Sequence, residues 1–159
     1  MLIERDRKRM LAITSSIAMP YEWSVGKYGS RFFHEIREHK RFIGIRCPGC
    51  KKVYVPPRML CGICFKEMDE LIELSNTGTL MTFTVVNYPF VDPATGEQRP
   101  IPYTFGCINI DGSSSVLSHI INETDESKIK VGMKVKAVFK EKDEMEGSIQ
   151  DIKYFEIVR

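Results

Sequence analysis

Two paired-cysteine units constrain the fold of this chain more than any other feature. Cys47 and Cys50 form the first C-x-x-C unit, and Cys61 and Cys64 form the second after a spacer of ten residues. Two tight turns that each supply two thiolates can meet at one tetrahedral metal ion. The spacer is long enough for a hairpin that returns the second unit to the first, and prolines at 56–57 stiffen it. We therefore predict that these four cysteines are metal ligands.

Zinc is the metal that this arrangement favours, although four thiolates also accept iron. No flanking feature demands electron transfer, so a rubredoxin-like electron carrier is the minor alternative. A single C-x-x-C can be a thioredoxin-like redox pair, but its duplication at this spacing and the lack of a surrounding βαβ pattern argue against redox chemistry. A closed site of four thiolates has no open position for catalysis, so we expect structural Zn²⁺.

The second half of the chain is predicted to be a barrel, because the residue composition changes at Gly78. β-branched and aromatic residues recur from there in five segments, at residues 79–86, 103–110, 116–121, 134–140 and 149–158. Five short strands with little room for helices suit a five-stranded OB-fold barrel. A small β-sandwich and an SH3-like barrel are the alternatives.

The first half predicts a helical lead-in and a ribbon. Apolar residues at helical spacing indicate a helix over about 30–40 with Ser30 as its N-cap, and residues 1–20 permit another amphipathic helix. Short strands are expected at 41–46 and 71–74. The predicted fold class is mainly β. It comprises a helical N-terminal segment (1–41), a rubredoxin-like zinc ribbon (42–75) and the OB-fold (76–159).

Charge is distributed unevenly along the 159 residues, although the total is only +2. Residues 1–46 hold ten Lys and Arg against five Asp and Glu, whereas residues 72–159 hold nine against thirteen. The acidic barrel argues against nucleic acid as a partner, so a nucleic-acid-binding module is the alternative function rather than the favoured one. The basic front is compatible with an anionic ligand or an acidic partner.

The composition is that of an ordinary globular protein. Hydrophobic residues make up 43% of the chain, and no apolar run approaches the ~20 residues of a membrane helix. Mixed charges after Met1, followed by a short and broken apolar stretch, do not resemble a signal peptide. We expect a cytoplasmic protein with no membrane partner.

The sequence offers no recognisable catalytic group. His34, His39 and His119 are scattered and form no nucleophile–base–acid trio, which argues against a free-standing enzyme. Cys107 is expected to be a buried structural thiol, because no base is evident beside it.

The order of these features resembles one known family. A helix with paired Phe, C-x-x-C, Pro-Pro-Arg, C-x-x-C and a barrel opened by Gly-Thr-Leu-x-x-Phe-Thr-Val-Val are similar to the acyl-CoA-associated zinc-ribbon/OB-fold family, domain of unknown function 35. The resemblance covers about residues 20–158. It departs at Lys51, where many such knuckles carry Gly. The residues that carry it are Trp23, Gly26, Phe32, Phe33, the four cysteines, Pro56, Pro57, Arg58, Gly78, Thr79, Phe83 to Val86, Pro102, Tyr103 and Val131 to Met133.

The resemblance implies a non-catalytic accessory subunit. Members are thought to support thiolase-type or hydroxymethylglutaryl-CoA-synthase-type enzymes, to help complete a CoA or acyl-CoA site and to assemble the complex. We accordingly expect a hetero-oligomer with a thiolase-like enzyme that acts on a CoA thioester, in a degradative pathway that resembles β-oxidation.

Two sets of residues are candidates for these contacts. CoA presents phosphates, which favour Lys and Arg, and an adenine, which favours a flat apolar surface. The fourteen-residue segment from Pro89 to Pro102 is a candidate docking loop. The candidate CoA-binding residues are Arg41, Arg46, Lys51, Lys52, Arg58 and Arg99. The candidate partner-interface residues are Trp23, Phe32, Phe33, Tyr88 and Phe90, with the alternative that Trp23 and the paired Phe pack over the ribbon.

Overall fold

The computed structural model describes residues 24–91 and 98–158, so Trp23 and the amphipathic helix expected in residues 1–20 lie outside the described residues. One α-helix precedes the strands: α1 (Gly26–His39). Single 3₁₀ turns occur at Glu126–Lys128, Lys142–Glu144 and Ile149–Asp151. The strands are β1 (Phe42–Arg46), β2 (Val53–Tyr54), β3 (Glu70–Leu74), β4 (Thr77–Val86), β5 (Tyr103–Ile110), β6 (Val116–Ile121), β7 (Lys134–Phe139) and β8 (Ile152–Ile157).

The strands form two sheets. The first has the order β2-β1-β3 and is antiparallel, with the cysteine pairs at its end. The second is a closed barrel with the order β4-β5-β6-β8-β7, in which β4 pairs with β7 to complete the ring. A closed five-stranded barrel of this kind is an OB-fold. The predicted fold class, mainly β with an N-terminal helix, a ribbon and a five-stranded OB-fold barrel, is therefore confirmed.

Alternation along β5 explains how the barrel is filled. Thr104, Gly106, Ile108 and Ile110 are buried, and the residues between them face outward. Gly106 is required at its position, because an added Cβ would lie 2.7 Å from the Cδ1 of Leu80. The small residue lets the opposite wall of the barrel pack against the backbone of β5.

Helix α1 begins earlier than the sequence predicts. Ser30 lies inside the helix and does not cap it, and Gly26 and Gly29 do not break it. The hydroxyl of Tyr28, in the first turn, donates a hydrogen bond to the carbonyl of Met68 at 3.0 Å. This contact with a residue forty positions away holds the first turn against the ribbon. The prediction of Ser30 as N-cap is therefore wrong, since a tertiary contact fixes the start of the helix.

Two further differences between the predicted and the observed secondary structure concern short elements. β2 has only two residues, too few for an alternating pattern to reveal it. The predicted last strand began at 149, but residues 149–151 form a 3₁₀ turn and β8 begins at Ile152. A capping box between Ser148 and Asp151 explains the turn, because each side chain accepts a backbone N–H from the other end.

The helix, the ribbon and the barrel share one hydrophobic core. The ring of Phe42, on β1, stacks on Phe155 of β8 with centroids 6.1 Å apart and planes 7° apart. Phe32 of α1 also stacks on the ring of Phe42, with centroids 6.2 Å apart, and Phe139 of β7 packs on it at 5.6 Å. All but Phe139 are completely buried. Phe42 thus joins elements that the domain prediction placed in three separate segments.

The turn between β5 and β6 fastens the ribbon to the barrel. The hydroxyl of Ser115 accepts the N–H of Val55 at 2.8 Å and lies 3.0 Å from the carbonyl of Val55, to which it donates. The N–H of Ser114 donates to the carbonyl of Val53 at 2.7 Å. The free side of β2 is therefore capped by residues of the barrel, which protects its backbone groups.

Within the described part of the chain, no helix combines the length and the apolar character that crossing a membrane requires.

We expect Ser115→Ala to lower the free energy of unfolding by about 1–3 kcal/mol, because it leaves both backbone groups of Val55 without their partner. Urea denaturation of the zinc-loaded chain measures the change. Ser30→Ala, at an exposed helical position, is the matched control and should be near neutral. A loss of stability no larger than that of the control would show that the turn does not fasten the two sheets.

Candidate metal centre

Four cysteine sulfurs meet at the end of the three-stranded sheet. The Sγ atoms of Cys47, Cys50, Cys61 and Cys64 all lie within 4.8 Å of one another. The separation is 3.3 Å between Cys47 and Cys64, and 3.5 Å between Cys50 and Cys61. Tetrahedral Zn–S bonds of about 2.3 Å put neighbouring sulfurs about 3.8 Å apart. The arrangement therefore fits a tetrathiolate ion with little adjustment.

The two C-x-x-C units adopt the same turn. In the first, the N–H of Lys51 donates to the carbonyl of Cys47 at 3.1 Å, and in the second, the N–H of Phe65 donates to Cys61 at 3.0 Å. Both Lys51 and Phe65 have positive φ, at 62° and 55°. Gly is the usual residue in this left-handed region, because a Cβ there is strained. The departure at Lys51 noted in the sequence thus recurs at Phe65, and the turn forms despite it.

Hydrogen bonds stabilise the thiolate of Cys61. The backbone N–H of Cys64, the hydroxyl of Tyr54 at 3.3 Å and the backbone N–H of Ile63 lower the pKa of Cys61 to about 5, against its burial. For Cys50, the backbone N–H of Lys52 lowers the pKa, but partial burial and the neighbouring Cys61 and Cys47 outweigh it and raise the pKa to about 11. Cys61 is therefore deprotonated easily and Cys50 is not. A bound divalent cation would stabilise the additional negative charge.

A second layer of side chains surrounds the sulfurs. Tyr54, Ile45 and Met68 are buried around Cys47 and Cys61. The guanidinium of Arg58 lies 3.8 Å over the ring of Tyr54. Arg58, a candidate CoA-binding residue, therefore covers the tyrosine that donates to the metal-binding sulfur. With four protein ligands and this cover, the centre is suited to holding the fold and has no open position for a substrate.

The other basic candidates fall on different elements. Arg41 forms ion pairs with Glu35 at 2.7 Å and with Glu73 at 2.6 Å, and Arg46 pairs with Glu70. Lys51 and Lys52 are exposed beside the first knuckle. Arg99 lies at the barrel, with its guanidinium 5.4 Å from the ring of Tyr103. The structure therefore groups Lys51, Lys52 and Arg58 at the ribbon, and it uses Arg41 and Arg46 to join neighbouring elements.

The aromatic candidates divide by burial. Phe32 is fully buried, so its assignment to a partner interface is wrong: its ring is part of the core. Phe33 is half-buried against the same core. Tyr88 and Phe90 are 68% and 41% exposed and remain available to a partner.

An exposed apolar group at the second knuckle was missed from the sequence. We call it the knuckle tip; it consists of Met59, Leu60, Ile63 and Phe65, with exposed fractions of 52%, 42%, 57% and 76%. The signal in the sequence is the run of apolar residues around the second C-x-x-C. It becomes interpretable only once the cysteines are known to occupy the inside of the turn.

The remaining thiol and histidines form no catalytic set within the described residues. Cys107 is half-buried, and its sulfur lies 3.3 Å from the hydroxyl of Ser118. His34 and His39 contact each other on α1 with ring centroids 6.3 Å apart. The ring of His119 packs on Phe155 at 5.9 Å.

Comparison with known proteins agrees with this architecture. Residues 34–69 match the rubredoxin-like zinc ribbon domain of ChsH2, and residues 71–140 match the C-terminal OB-fold domain of ChsH2. A DUF35 domain-containing scaffold protein of Methanocaldococcus jannaschii is 32% identical over 111 residues, which cover 69% of this chain and 75% of that protein. A protein of the same description from Pyrococcus furiosus is 28% identical over 109 residues, or 69% and 76% of the two chains.

Two solved structures are similar in fold. A chain of the Ltp2-ChsH2(DUF35) aldolase superposes with a TM-score of 0.60 at 21% identity, covering 86% of this chain and 98% of that one. A protein of unknown function from the DUF35 family of Sulfolobus solfataricus superposes with a TM-score of 0.57 at 19% identity, covering 83% and 84%. The zinc ribbon followed by an OB-fold is thus a shared architecture.

We expect Cys47→Ser to reduce bound zinc and the solubility of the purified chain, because a serine hydroxyl does not replace a thiolate as ligand. Elemental analysis of the purified protein measures the zinc. Cys107→Ser is the matched control and should retain the full metal content. Unchanged zinc in Cys47→Ser would show that the ligand assignment is wrong.

Tyr54→Phe should move the release of zinc to higher pH. The tyrosine hydroxyl lowers the pKa of Cys61, so its removal raises that pKa and protons compete with the metal sooner as the pH falls. A metal-sensitive dye followed during acid titration measures the midpoint. Tyr103→Phe, away from the sulfurs, serves as control, and an unshifted midpoint in Tyr54→Phe would show that its hydrogen bond does not act on the site.

Proposed function

We propose, from the premise that this chain belongs to the DUF35 family, that it is a non-catalytic zinc-binding subunit of an acyl-CoA enzyme complex with a thiolase-type partner. The relatives in Methanocaldococcus and Pyrococcus are named scaffold proteins. The name of the structural neighbour joins ChsH2(DUF35) to Ltp2 in an aldolase. These names support a role in assembling an enzyme complex, and the acyl-CoA substrate and a degradative pathway complete the proposal.

The knuckle tip is the observation that carries this proposal. Its four apolar residues lie within seven positions of the chain, and all four are exposed. Phe65 is the most exposed of them, and it holds a left-handed backbone conformation that costs a non-glycine residue about 1–3 kcal/mol. Both knuckles impose this conformation, and what distinguishes the second is that an aromatic residue there is 76% exposed. An exposed aromatic within an apolar group is what a binding anchor requires.

The basic residues beside the knuckle tip give the proposed partner its chemistry. Arg58 and Lys66 flank the tip along the chain, and Lys51 and Lys52 lie on the first knuckle. A partner surface with an apolar pocket and an acidic rim would match them. Tyr88 and Phe90, which follow β4, are the proposed second contact.

Lys51 and Lys52 are the candidates through which this chain would reach the phosphates of CoA at such an interface. They are exposed, whereas Arg41 and Arg46 already pair with glutamates. Arg58 would contribute only by leaving the ring of Tyr54. The proposed role of this chain at the CoA is to supply charge beside the partner's own site.

Catalysis is assigned to the partner. The metal centre has four cysteine ligands and no open position. Within the described residues, the imidazole Nε2 of His119 faces the carbonyl of Ile149 at 3.4 Å rather than a nucleophile. The sulfur of Cys107 contacts a serine hydroxyl, and no base from the described parts of the chain is hydrogen-bonded to that pair.

Phe65→Gly separates a structural role from a binding role. Gly removes the left-handed strain, so we expect the free energy of unfolding to rise by about 0.5–1 kcal/mol. We expect the dissociation constant for the co-expressed thiolase-type enzyme to rise at least about tenfold, as for loss of an interface anchor worth about 2 kcal/mol. Thermal unfolding and biolayer interferometry measure the two effects.

Val131→Thr is the control for this experiment, because it also replaces an exposed apolar residue, on the barrel. It should leave the affinity for the enzyme unchanged. If Phe65→Gly binds as tightly as the original chain, the knuckle tip is not the docking point. If the original chain elutes apart from the enzyme and leaves its activity unchanged, the proposed function is lost.

A further inference from the structure

The seam between β6 and β8 has the shortest strand pairing in the closed barrel. These neighbouring strands share a single pair in register, Ile121 with Phe155, and the backbone N–H of Asn122 adds one hydrogen bond to Phe155 at 2.8 Å. The other neighbouring strands of the barrel pair over three or more residues. A cavity of about 470 Å³ lies at the seam, between the outer face of β5 and β6 and the loop that leads into β8. This volume is in the range that holds a small organic ligand.

The lining of this cavity is basic, although the barrel half of the chain is acidic. Lys140, Lys153 and Arg99 contribute three cations, and none of the described residues that line the cavity carries a carboxylate. Neither lysine has a carboxylate of the described residues within ion-pair distance. Residues 72–159 as a whole hold thirteen acidic and nine basic residues, so this local excess of positive charge is not an average property of the surface.

Apolar and aromatic groups lie beside these charges. Phe105 projects from the outer face of β5 and is 41% exposed, and Ile120 lies opposite it in register on β6. Ile149 continues the apolar wall from the loop. A flat or apolar body can pack on this wall while its anionic group reaches the lysines.

His119 adds a buried polar atom in need of a partner. It lines the cavity, and its Nδ1 is buried without a hydrogen-bond partner among the described residues. Its Nε2 lies 3.4 Å from the carbonyl of Ile149. Burial lowers the pKa of His119, so the neutral ring is the form present at pH 7.

The loop that covers the seam is held in place. The carboxylate of Asp151 accepts the N–H groups of Glu146, Gly147 and Ser148 at 2.9, 2.7 and 3.2 Å. The backbone N–H of Lys140 donates to the carbonyl of Asp151 at 2.9 Å. One buried aspartate thus fixes both the loop and the backbone of Lys140, which lines the cavity, so the site is preorganised.

We propose that the β6–β8 seam binds a small organic phosphate, whose phosphate is held by Lys140 and Lys153 and whose planar or apolar body packs on Phe105 and Ile120. The outer face of the second and third strands, with the adjoining loops, is where OB-folds in general bind ligands. A small ligand is favoured over a nucleic-acid strand, because a strand needs a basic groove that continues past one cavity and the barrel around it is acidic. The site does not depend on which enzyme binds the ribbon.

The test uses the full zinc-loaded chain without a partner enzyme, with ADP as the probe, in isothermal titration calorimetry at low salt. We expect ADP to bind, and adenosine, which lacks the phosphates, to bind at least tenfold more weakly. In the double variant Lys140→Gln/Lys153→Gln, affinity for ADP should fall at least about tenfold, because both charge-assisted hydrogen bonds to the phosphate are lost. Phe105→Ser should weaken ADP but leave pyrophosphate unchanged.

The matched control is Lys130→Gln/Lys136→Gln, which removes the same charge from exposed positions outside the cavity and should leave ADP binding unchanged. Equal losses in the two double variants would mean that only net charge matters and would overturn the site. Failure of both ADP and pyrophosphate to bind at millimolar concentration would also overturn it. A thymidine oligonucleotide that binds more tightly than ADP, through the same two lysines, would replace the small-ligand assignment with a nucleic-acid surface.

Discussion

The packing of Phe42 between the helix and the barrel is the interaction on which the rest of the structure depends. A three-stranded ribbon and a five-stranded barrel of this size each bury little apolar surface alone. In the structure the two units stabilise each other, because Phe32, Phe42 and Phe155 stack through the junction. The metal then holds only the far end of the ribbon, where Cys47 and Cys61 belong to a second, smaller core.

Most of the fold was predictable from residues whose neighbours along the chain define their structure. The cysteine spacing predicted the knuckles, and the β-branched and aromatic residues of 103–110 predicted a barrel strand with the bounds observed. The start of α1 was not predictable, because it depends on the contact of Tyr28 with Met68. Arg41 appeared to be a free cation in the sequence, but strand pairing brings Glu73 to it and the helix brings Glu35. The seam could not be foreseen either, since it depends on how a 3₁₀ turn delays the start of β8.

The metal centre and the knuckle tip are two consequences of the same turn. Each knuckle needs its sulfurs inside and a left-handed residue after the second cysteine. The first knuckle gives that position to a lysine and the second to a phenylalanine, and both side chains are exposed. The metal and the backbone hydrogen bonds of each turn offset the strain that these residues add. The exposed residue of each turn is therefore independent of the ligands inside it.

The serine turn that caps β2 also determines how far apart bound molecules are held. Because Ser114 and Ser115 bond the ribbon directly to the end of β5 and β6, no flexible linker separates the knuckle tip from the outer face of the barrel. Two molecules bound at these two places would keep a fixed separation and orientation, set when the chain folds. Their effective concentration relative to each other would then depend on this fixed geometry and not on the length of a flexible linker.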